Sequence, residues 1–276
     1  MYPSPLVSVI TPYRNAELFV ERFVATLTSQ TFHSWEAILV NDNSTDIGPS
    51  LLKQLVSHDC RFKLFDLPFD HSESLPSFAR NFAIEQSASS VLAFLDIDDI
   101  WFPEKLSLQY TYHVENKLDI STTWYCRYSH NAPLIPISFV RTPSSVSYPT
   151  LFLHNPLPLL TVLADKSLFS NGFPDCKHED YLFWLTLWRN KLQVRYGCLP
   201  SFLAAYTKHH SNQTSDKLQM PLWVMTVFAA HFRNPLLGAM LIIPWSIYRI
   251  YLLISIRIYS SSVTAQKRKS IARLIY

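Results

Sequence analysis

One run, Val91-Leu92-Ala93-Phe94-Leu95-Asp96-Ile97-Asp98-Asp99, constrains this chain of 276 residues more than any other stretch. Five apolar residues read as a buried strand, and three carboxylates follow at once. Strand side chains alternate faces, so Asp96 and Asp98 are expected to point one way and Asp99 another. In open α/β sheets, ligands collect outside the carboxyl ends of the strands. Two like charges held side by side repel unless a cation lies between them. Mg²⁺ or Mn²⁺ carrying a phosphate suits such an oxygen-rich site. The competing reading is that the acids cap the helix expected from about Pro103, a role that fits Asp99 best.

The residues before this run alternate between strand and helix patterns. Val7-Ser8-Val9-Ile10 reads as a first strand, broken by Thr11-Pro12-Tyr13-Arg14-Asn15, with Asn15 as a candidate N-cap. Phe19, Val20, Phe23, Val24 and Leu27 then recur at helical spacing and form one core-facing side. Trp35 to Val40 is a second strand, ending in the polar turn Asn41-Asp42-Asn43-Ser44-Thr45-Asp46. Thr45 or Asp46 can cap the helix that carries Leu51, Leu52, Leu55 and Val56. A third strand is expected over Phe62 to Phe65 and a helix over Leu75 to Gln86. This alternation predicts a Rossmann-like, mainly parallel central sheet flanked by helices, with right-handed crossovers. Asp42 and Asp96 then share one edge of that sheet.

Composition removes several classes. With only 4 glycines and no G-x-G-x-x-G or Walker pattern, a Gly-rich phosphate loop is disfavoured. A net charge of +3 is too mild to imply nucleic acid. Cys60, Cys126, Cys176 and Cys198 are widely spaced, which argues against structural zinc and a disulfide framework and fits a reducing compartment. The N-terminus shows no charged region followed by an apolar one, so no signal peptide is expected.

Five segments carry a resemblance: Val7-Ser8-Val9-Ile10-Thr11-Pro12-Tyr13-Arg14-Asn15, Ser29-Gln30-Thr31-Phe32, Val40-Asn41-Asp42-Asn43-Ser44-Thr45-Asp46, Ala79-Arg80-Asn81 and Phe94-Leu95-Asp96-Ile97-Asp98-Asp99. In order and spacing they resemble the family 2 glycosyltransferases, inverting enzymes with a GT-A fold. The resemblance implies that Asp42 accepts a hydrogen bond from a nucleotide base, while Pro12 and Tyr13 line the base and ribose pocket. It implies that Arg80 reaches the base or diphosphate, that Asp98 is the principal ligand of a divalent metal (Mn²⁺ or Mg²⁺), and that Asp96 contacts the metal or the donor sugar. Charge supports this division, since a diphosphate needs a cation to offset it. On its residues alone, Arg80 could instead pair with Glu85 or solvent. Asn41 stands where the family usually has an acid, and Asn43, Ala83 and Ser89 replace glycines. Asn tolerates the left-handed region, so the change at Asn43 is mild.

The second half is less legible. A helix is expected from Trp101 to about Glu115, short strands and loops over residues 120–150, and a strand at Val162-Leu163. His178-Glu179-Asp180-Tyr181 opens an apolar helix. Its two acids could simply favour the helix N-terminus. The pair also resembles the family's Glu-Asp motif, which implies that Asp180 is the general base. Tyr206-Thr207-Lys208-His209 resembles a Tyr-Arg-x-His segment, with Thr207 in place of the Arg. The resemblance implies that His209 approaches metal or diphosphate, and Lys208 is placed to supply the missing charge. A solvated loop is the alternative for His209, and more so for His210.

From Leu236 to Tyr259 the residues are almost all apolar or aromatic, with Arg249 near the middle and Lys267-Arg268-Lys269 and Arg273 beyond. A spanning helix needs about 20 apolar residues, and a central arginine is costly there. Arg249 and Arg257 are expected on roughly one face, and Trp245, Tyr248, Tyr251 and Tyr259 suit an interface. The expected element is an in-plane, membrane-associated helix with a basic tail; a helix packed in the domain or in an oligomer is the alternative.

The expectations are these. A GT-A domain spans 1–215, its nucleotide-sugar-binding half 1–105 and its acceptor half 106–215, and a hydrophobic helical segment with a basic tail spans 216–276. The activity is a metal-dependent inverting transfer from a nucleotide sugar, foremost a UDP-sugar, to a saccharide or lipid-linked saccharide in envelope glycan synthesis. The location is cytoplasmic, peripheral on the inner face of the cell membrane. The rivals are a nucleotidyltransferase of related fold, a membrane-associated sugar-nucleotide binder without turnover, and a phosphate-metal hydrolase.

Overall fold

The structure, a computed structural model, describes residues 4–68, 75–129, 136–191, 193–209 and 219–262. Strands β1 (Val7–Tyr13) and β2 (Trp35–Asn41) are apolar along most of their length and buried on both faces, as central parallel strands are. They pair in parallel, with Val9 opposite Ala37 and Tyr13 opposite Asn41. Strand β3 (Phe62–Asp66) pairs with β2 and β4 (Val91–Phe94) with β1, both in parallel. The crossovers are α1 (Val20–Thr28), α2 (Gly48–Leu55) and α3 (Pro76–Gln86). Alternation along the strands divides the core. Val7, Val9, Ala37 and Leu39 pack with Phe23 and Leu27 of α1 and Leu52 of α2. Ile10, Ile38, Val40 and Phe94 pack with Ala79 and Ala83 of α3 on the opposite face.

Beyond β4 the sheet becomes mixed. The remaining strands are β5 (Ile100–Trp101), β6 (Ile120–Ser129), β7 (Ser138–Val140), β8 (Leu163–Asp165) and β9 (Tyr196–Lys208). Among the described residues the order is β3-β2-β1-β4-β8-β6-β9-β5, with β7 on β6. Strand β8 runs antiparallel to both β4 and β6, whereas β6 and β9 are parallel. The helices of this half are α4 (Lys105–Glu115), α5 (Glu179–Asn190), α6 (Met220–Phe232) and α7 (Pro235–Ser262).

Several local expectations change. Residues 100–101 are strand, and α4 begins only at Lys105. Asn15 is not an N-cap: it sits at φ 50°, and its side-chain oxygen accepts from the Thr45 N–H (2.8 Å), tying the turn after β1 to the turn after β2. Helix α1 starts later, at Val20. Asp46 does serve its helix, accepting from the Gly48 N–H at 3.0 Å, and it also accepts from the Glu17 N–H at 2.9 Å.

Helices α6 and α7 share the main core. Val224, Val227, Phe228 and Trp245 lie in one cluster with Tyr181 and Trp184 of α5. The expected boundary at 215/216 lies outside the described residues, as do His210 and the basic tail. Arg249 and Arg257 do not share a face. Arg249 is half-buried near the Trp245 ring, at 6.0 Å, while Arg257 is exposed. Eight positions amount to about 2.2 turns at 3.6 residues per turn, enough to rotate one away from the other.

A buried polar joint ties α4 to β6 and to the turn before β8. The Gln109 side-chain amide on α4 donates to the Ser121 carbonyl (3.0 Å) and the Thr161 carbonyl (2.9 Å), and its oxygen accepts from Lys105 Nζ (2.6 Å). Burial pulls the Lys105 amine down to about 7. Gln109→Leu would leave these buried groups without partners, each worth about 1–3 kcal/mol. The variant is expected to lose about 3 kcal/mol or more, read as a Tm lower by roughly 6–12 °C in a thermal melt. A Tm within a degree of wild type would show that this joint does not hold α4 on the sheet.

Candidate active site

The carboxyl ends of β1, β2 and β4 lie on one edge of the sheet. There the Asp42 N–H donates to the Tyr13 carbonyl (2.8 Å), bringing together two of the residues expected at the base pocket. Asp42 is 4% exposed and Tyr13 5%, and Pro12 pairs with Val40 just before them. Burial pushes the Tyr13 hydroxyl well above its ordinary value, with Asp66 and Asp46 adding to the effect. Asn43 takes φ 53°, the left-handed conformation its side chain tolerates.

Strand β4 ends at Phe94, so face alternation does not extend to the three acids. They lie in a turn in which the Asp99 N–H donates to the Asp96 carbonyl (3.0 Å). Each carboxylate meets a different element. Asp96 accepts from Arg80 Nη2 on α3 at 2.8 Å. Asp98 Oδ2 lies 2.5 Å from His209 Nε2, just past β9. Asp99 is buried and accepts from the Thr207 N–H at 2.8 Å. It therefore anchors the turn to β9 and caps no helix. Burial raises the Asp99 carboxyl well above the usual range, and Asp98 and Asp96 raise it further.

Arg80 does not pair with Glu85. Its guanidinium, 6% exposed, bridges Asp96 and Glu179, the first residue of α5. Burial alone would disfavour its charge, but Asp96 and Glu179 outweigh burial and hold it protonated. The Glu179 side chain thus serves an ion pair rather than the helix N-terminus. His178, at φ 58°, makes the left-handed turn that leads into α5. Asp180 follows, its Oδ2 accepting from the Asn155 side-chain amide (2.8 Å) and its Oδ1 from the Tyr181 N–H (2.8 Å). Burial raises the Asp180 carboxyl, partly opposed by Arg80 and Asn155.

Four residues were not assigned to the site from sequence. Arg22 of α1 donates to the Asp98 carbonyl (2.8 Å) and Thr207 Oγ1 (3.3 Å). It supplies the cation beside Thr207; Lys208 is exposed. Phe19 packs its ring 5.0 Å from that of His209. Asn155 and Glu179 complete the set. Only Glu179 had a sequence signal, its place in the Glu-Asp pair; the others meet the site through distant parts of the chain.

No group of three or more His, Cys, Asp and Glu side chains arranged for a metal occurs among the described residues. One carboxylate and one imidazole, Asp98 and His209, do stand together. Such a set suits Mg²⁺ or Mn²⁺ when substrate phosphates and water complete the shell.

Residues 8–157 match the family model described as Glycosyl transferase family 2. The chain is 29% identical over 233 residues to the Escherichia coli UDP-Glc:alpha-D-GlcNAc-diphosphoundecaprenol beta-1,3-glucosyltransferase WfgD, covering 84% of this chain and 88% of the relative. Among solved structures, S. aureus TarS 1-349 in complex with UDP-GlcNAc is similar at a TM-score of 0.65 and 19% identity, over 95% of this chain and 77% of that one. The mannosyltransferase PcManGT from Pyrobaculum calidifontis, in complex with GDP-Man and Mn²⁺, is similar at 0.61 and 13% identity, over 99% and 80%. These structures share the GT-A fold seen here. The family match covers more than half of the chain and includes that turn, and the chain belongs to glycosyltransferase family 2.

Proposed function

We propose that this glycosyltransferase moves a sugar from a UDP-sugar to a saccharide or lipid-linked saccharide, with inversion and with a divalent metal, at the inner face of the membrane as a peripheral protein. The observation that carries the reading is the Arg80 bridge. One buried guanidinium ties the acidic turn, where a donor diphosphate would be neutralised, to the start of α5, where Asp180 stands. Leaving group and base are thereby held in one site. The donor named for the E. coli relative and the UDP-GlcNAc bound by TarS support a UDP-sugar. The undecaprenol-linked acceptor named for that relative supports a lipid-linked acceptor.

The chemistry follows from these groups. The acceptor hydroxyl attacks the anomeric carbon opposite the leaving diphosphate. The new C–O bond forms as the old one breaks, and the diphosphate leaves with the electron pair. Asp180 takes the hydroxyl proton on a carboxylate oxygen. Its burial makes it a stronger base than a solvated aspartate. Asn155 holds the carboxylate in place. A divalent metal held by Asp98 and His209 would supply positive charge against the departing diphosphate. Tyr13 and Asp42 would receive the nucleoside, with Asp42 as hydrogen-bond acceptor.

Asp180→Asn is expected to lower kcat by about 100- to 10,000-fold while leaving the UDP-sugar-induced thermal shift intact. Full transfer by the variant would remove Asp180 from the role of base. For wild type, kcat should fall as pH drops through an inflection above the ordinary aspartate value of about 3.9, because the base must be ionised and burial raises its pKa. An inflection at or below that value would contradict a buried base. Asp98→Ala should abolish the part of the UDP-sugar thermal shift that depends on Mn²⁺. An undiminished Mn²⁺ effect would place the metal elsewhere, and free sugar released equally fast without acceptor would indicate a hydrolase.

A further inference from the structure

Helix α7 has two unlike faces. One is docked onto the protein along the whole helix. Gly238 lies so close to α6 that a Cβ there would come 2.7 Å from the Met225 carbonyl oxygen. Trp245 is buried in the main core, and the Tyr248 ring lies 5.0 Å from that of His154. At the far end the Phe139 N–H of β7 donates to Ser260 Oγ (2.9 Å), and Arg141 donates to the Tyr259 hydroxyl (2.7 Å). The other face is exposed and apolar. Met240, Ile243, Ile247, Ile250, Ile254 and Ile258 recur every three or four residues and form one continuous stripe. By length and composition α7 is the one helix among the described residues that could cross a membrane.

Charge names the occupant of this stripe. From Lys217 to Tyr276 the chain has eight Lys and Arg and no Asp or Glu, and the sequence past Ser262 carries Lys267, Arg268, Lys269 and Arg273. A second copy packed on the stripe would bring two such cationic segments together with no acid to offset them. An anionic lipid surface attracts them. A groove of about 370 Å³ at the same end is lined by Ile137, Leu253, Ile256, Arg257 and Ser261, setting apolar side chains beside a cation as a lipid phosphate requires. The docked face decides orientation. Held to α6 at one end and β7 at the other, α7 cannot run across a bilayer without taking part of the sheet with it. It can enter lipid side-on.

We infer that α7 is a monotopic docking helix that lies in the plane of an anionic bilayer, its isoleucine stripe in the acyl boundary and its opposite face forming part of the acceptor side of the site. This deepens the peripheral reading above and rests on it. The link to the site is short. His154, against Tyr248, precedes Asn155, which donates to Asp180. The acceptor side is thereby held at the bilayer surface, where the saccharide of a lipid-linked acceptor is found.

The test is co-sedimentation of the full chain with phosphatidylcholine vesicles, with and without about a quarter phosphatidylglycerol. Wild type should bind the anionic vesicles, less so at high salt. Ile247→Asp with Ile250→Asp should weaken binding by about tenfold or more, with Tm and the UDP-GlcNAc thermal shift unchanged. A second variant, Lys267→Glu with Arg268→Glu and Lys269→Glu, should lose the preference for anionic lipid with the stripe intact. A C-terminal epitope should stay accessible to protease added outside. Four results would overturn the inference: no binding by wild type, equal binding by the stripe variant, a protected epitope, or a wild-type dimer that the stripe variant dissociates. If vesicle binding behaves as stated but no UDP-sugar shifts the Tm, the donor reading fails and the docking helix stands.

Discussion

A guanidinium enclosed between two carboxylates is the interaction on which the site depends. Arg80 arrives on α3, Asp96 on the turn after β4, and Glu179 at the start of α5, so the contact joins three segments from both halves of the chain. Buried charge is tolerated only when it is paired, and removing one member of such a set typically costs about 3–5 kcal/mol. The arrangement therefore constrains geometry more than it adds stability. With Arg80 engaged on both sides, Glu179 cannot withdraw to cap its helix, and Asp180, next in sequence, is placed beside the acidic turn.

The same turn is held from two other directions. Asp99 is sunk into the protein and accepts the Thr207 N–H, while Arg22 reaches across from α1 to the Asp98 carbonyl. The backbone of the turn is pinned and the Asp98 carboxylate is left toward His209. This division lets three adjacent acids coexist: one is neutralised by an arginine, one is satisfied by a backbone donor and pushed toward its protonated form by burial, and one faces an imidazole. Three exposed like charges in a row would repel one another.

Helix α7 extends this logic to the outside of the molecule. Its inner face belongs to the core that supports α5, and its outer face is an exposed apolar stripe. A helix that merely tethered the enzyme would need no contact with residues adjoining the site. Tyr248 against His154 is such a contact.

Much of this architecture follows from residue order alone. Runs such as Val7–Ile10 and Trp35–Val40 have to be buried strands, and the apolar spacing from Phe19 to Leu27 has to be a core-facing helix, because periodicity is a local property. The same holds for the parallel sheet edge that gathers Tyr13 and Asp42, and for the acidic run after β4. Tertiary structure decided the rest. Asp99 and Thr207 are 108 positions apart, and Arg80 and Glu179 are 99 apart. No periodicity connects such pairs, and a carboxylate in a turn has no face assigned by strand alternation. Which acid meets the arginine, which the histidine and which the backbone is set by how the second half of the chain closes over the first. Likewise, the apolar composition of α7 is written in its residues, but only packing against α6 and β7 determines which side is covered and which is left exposed.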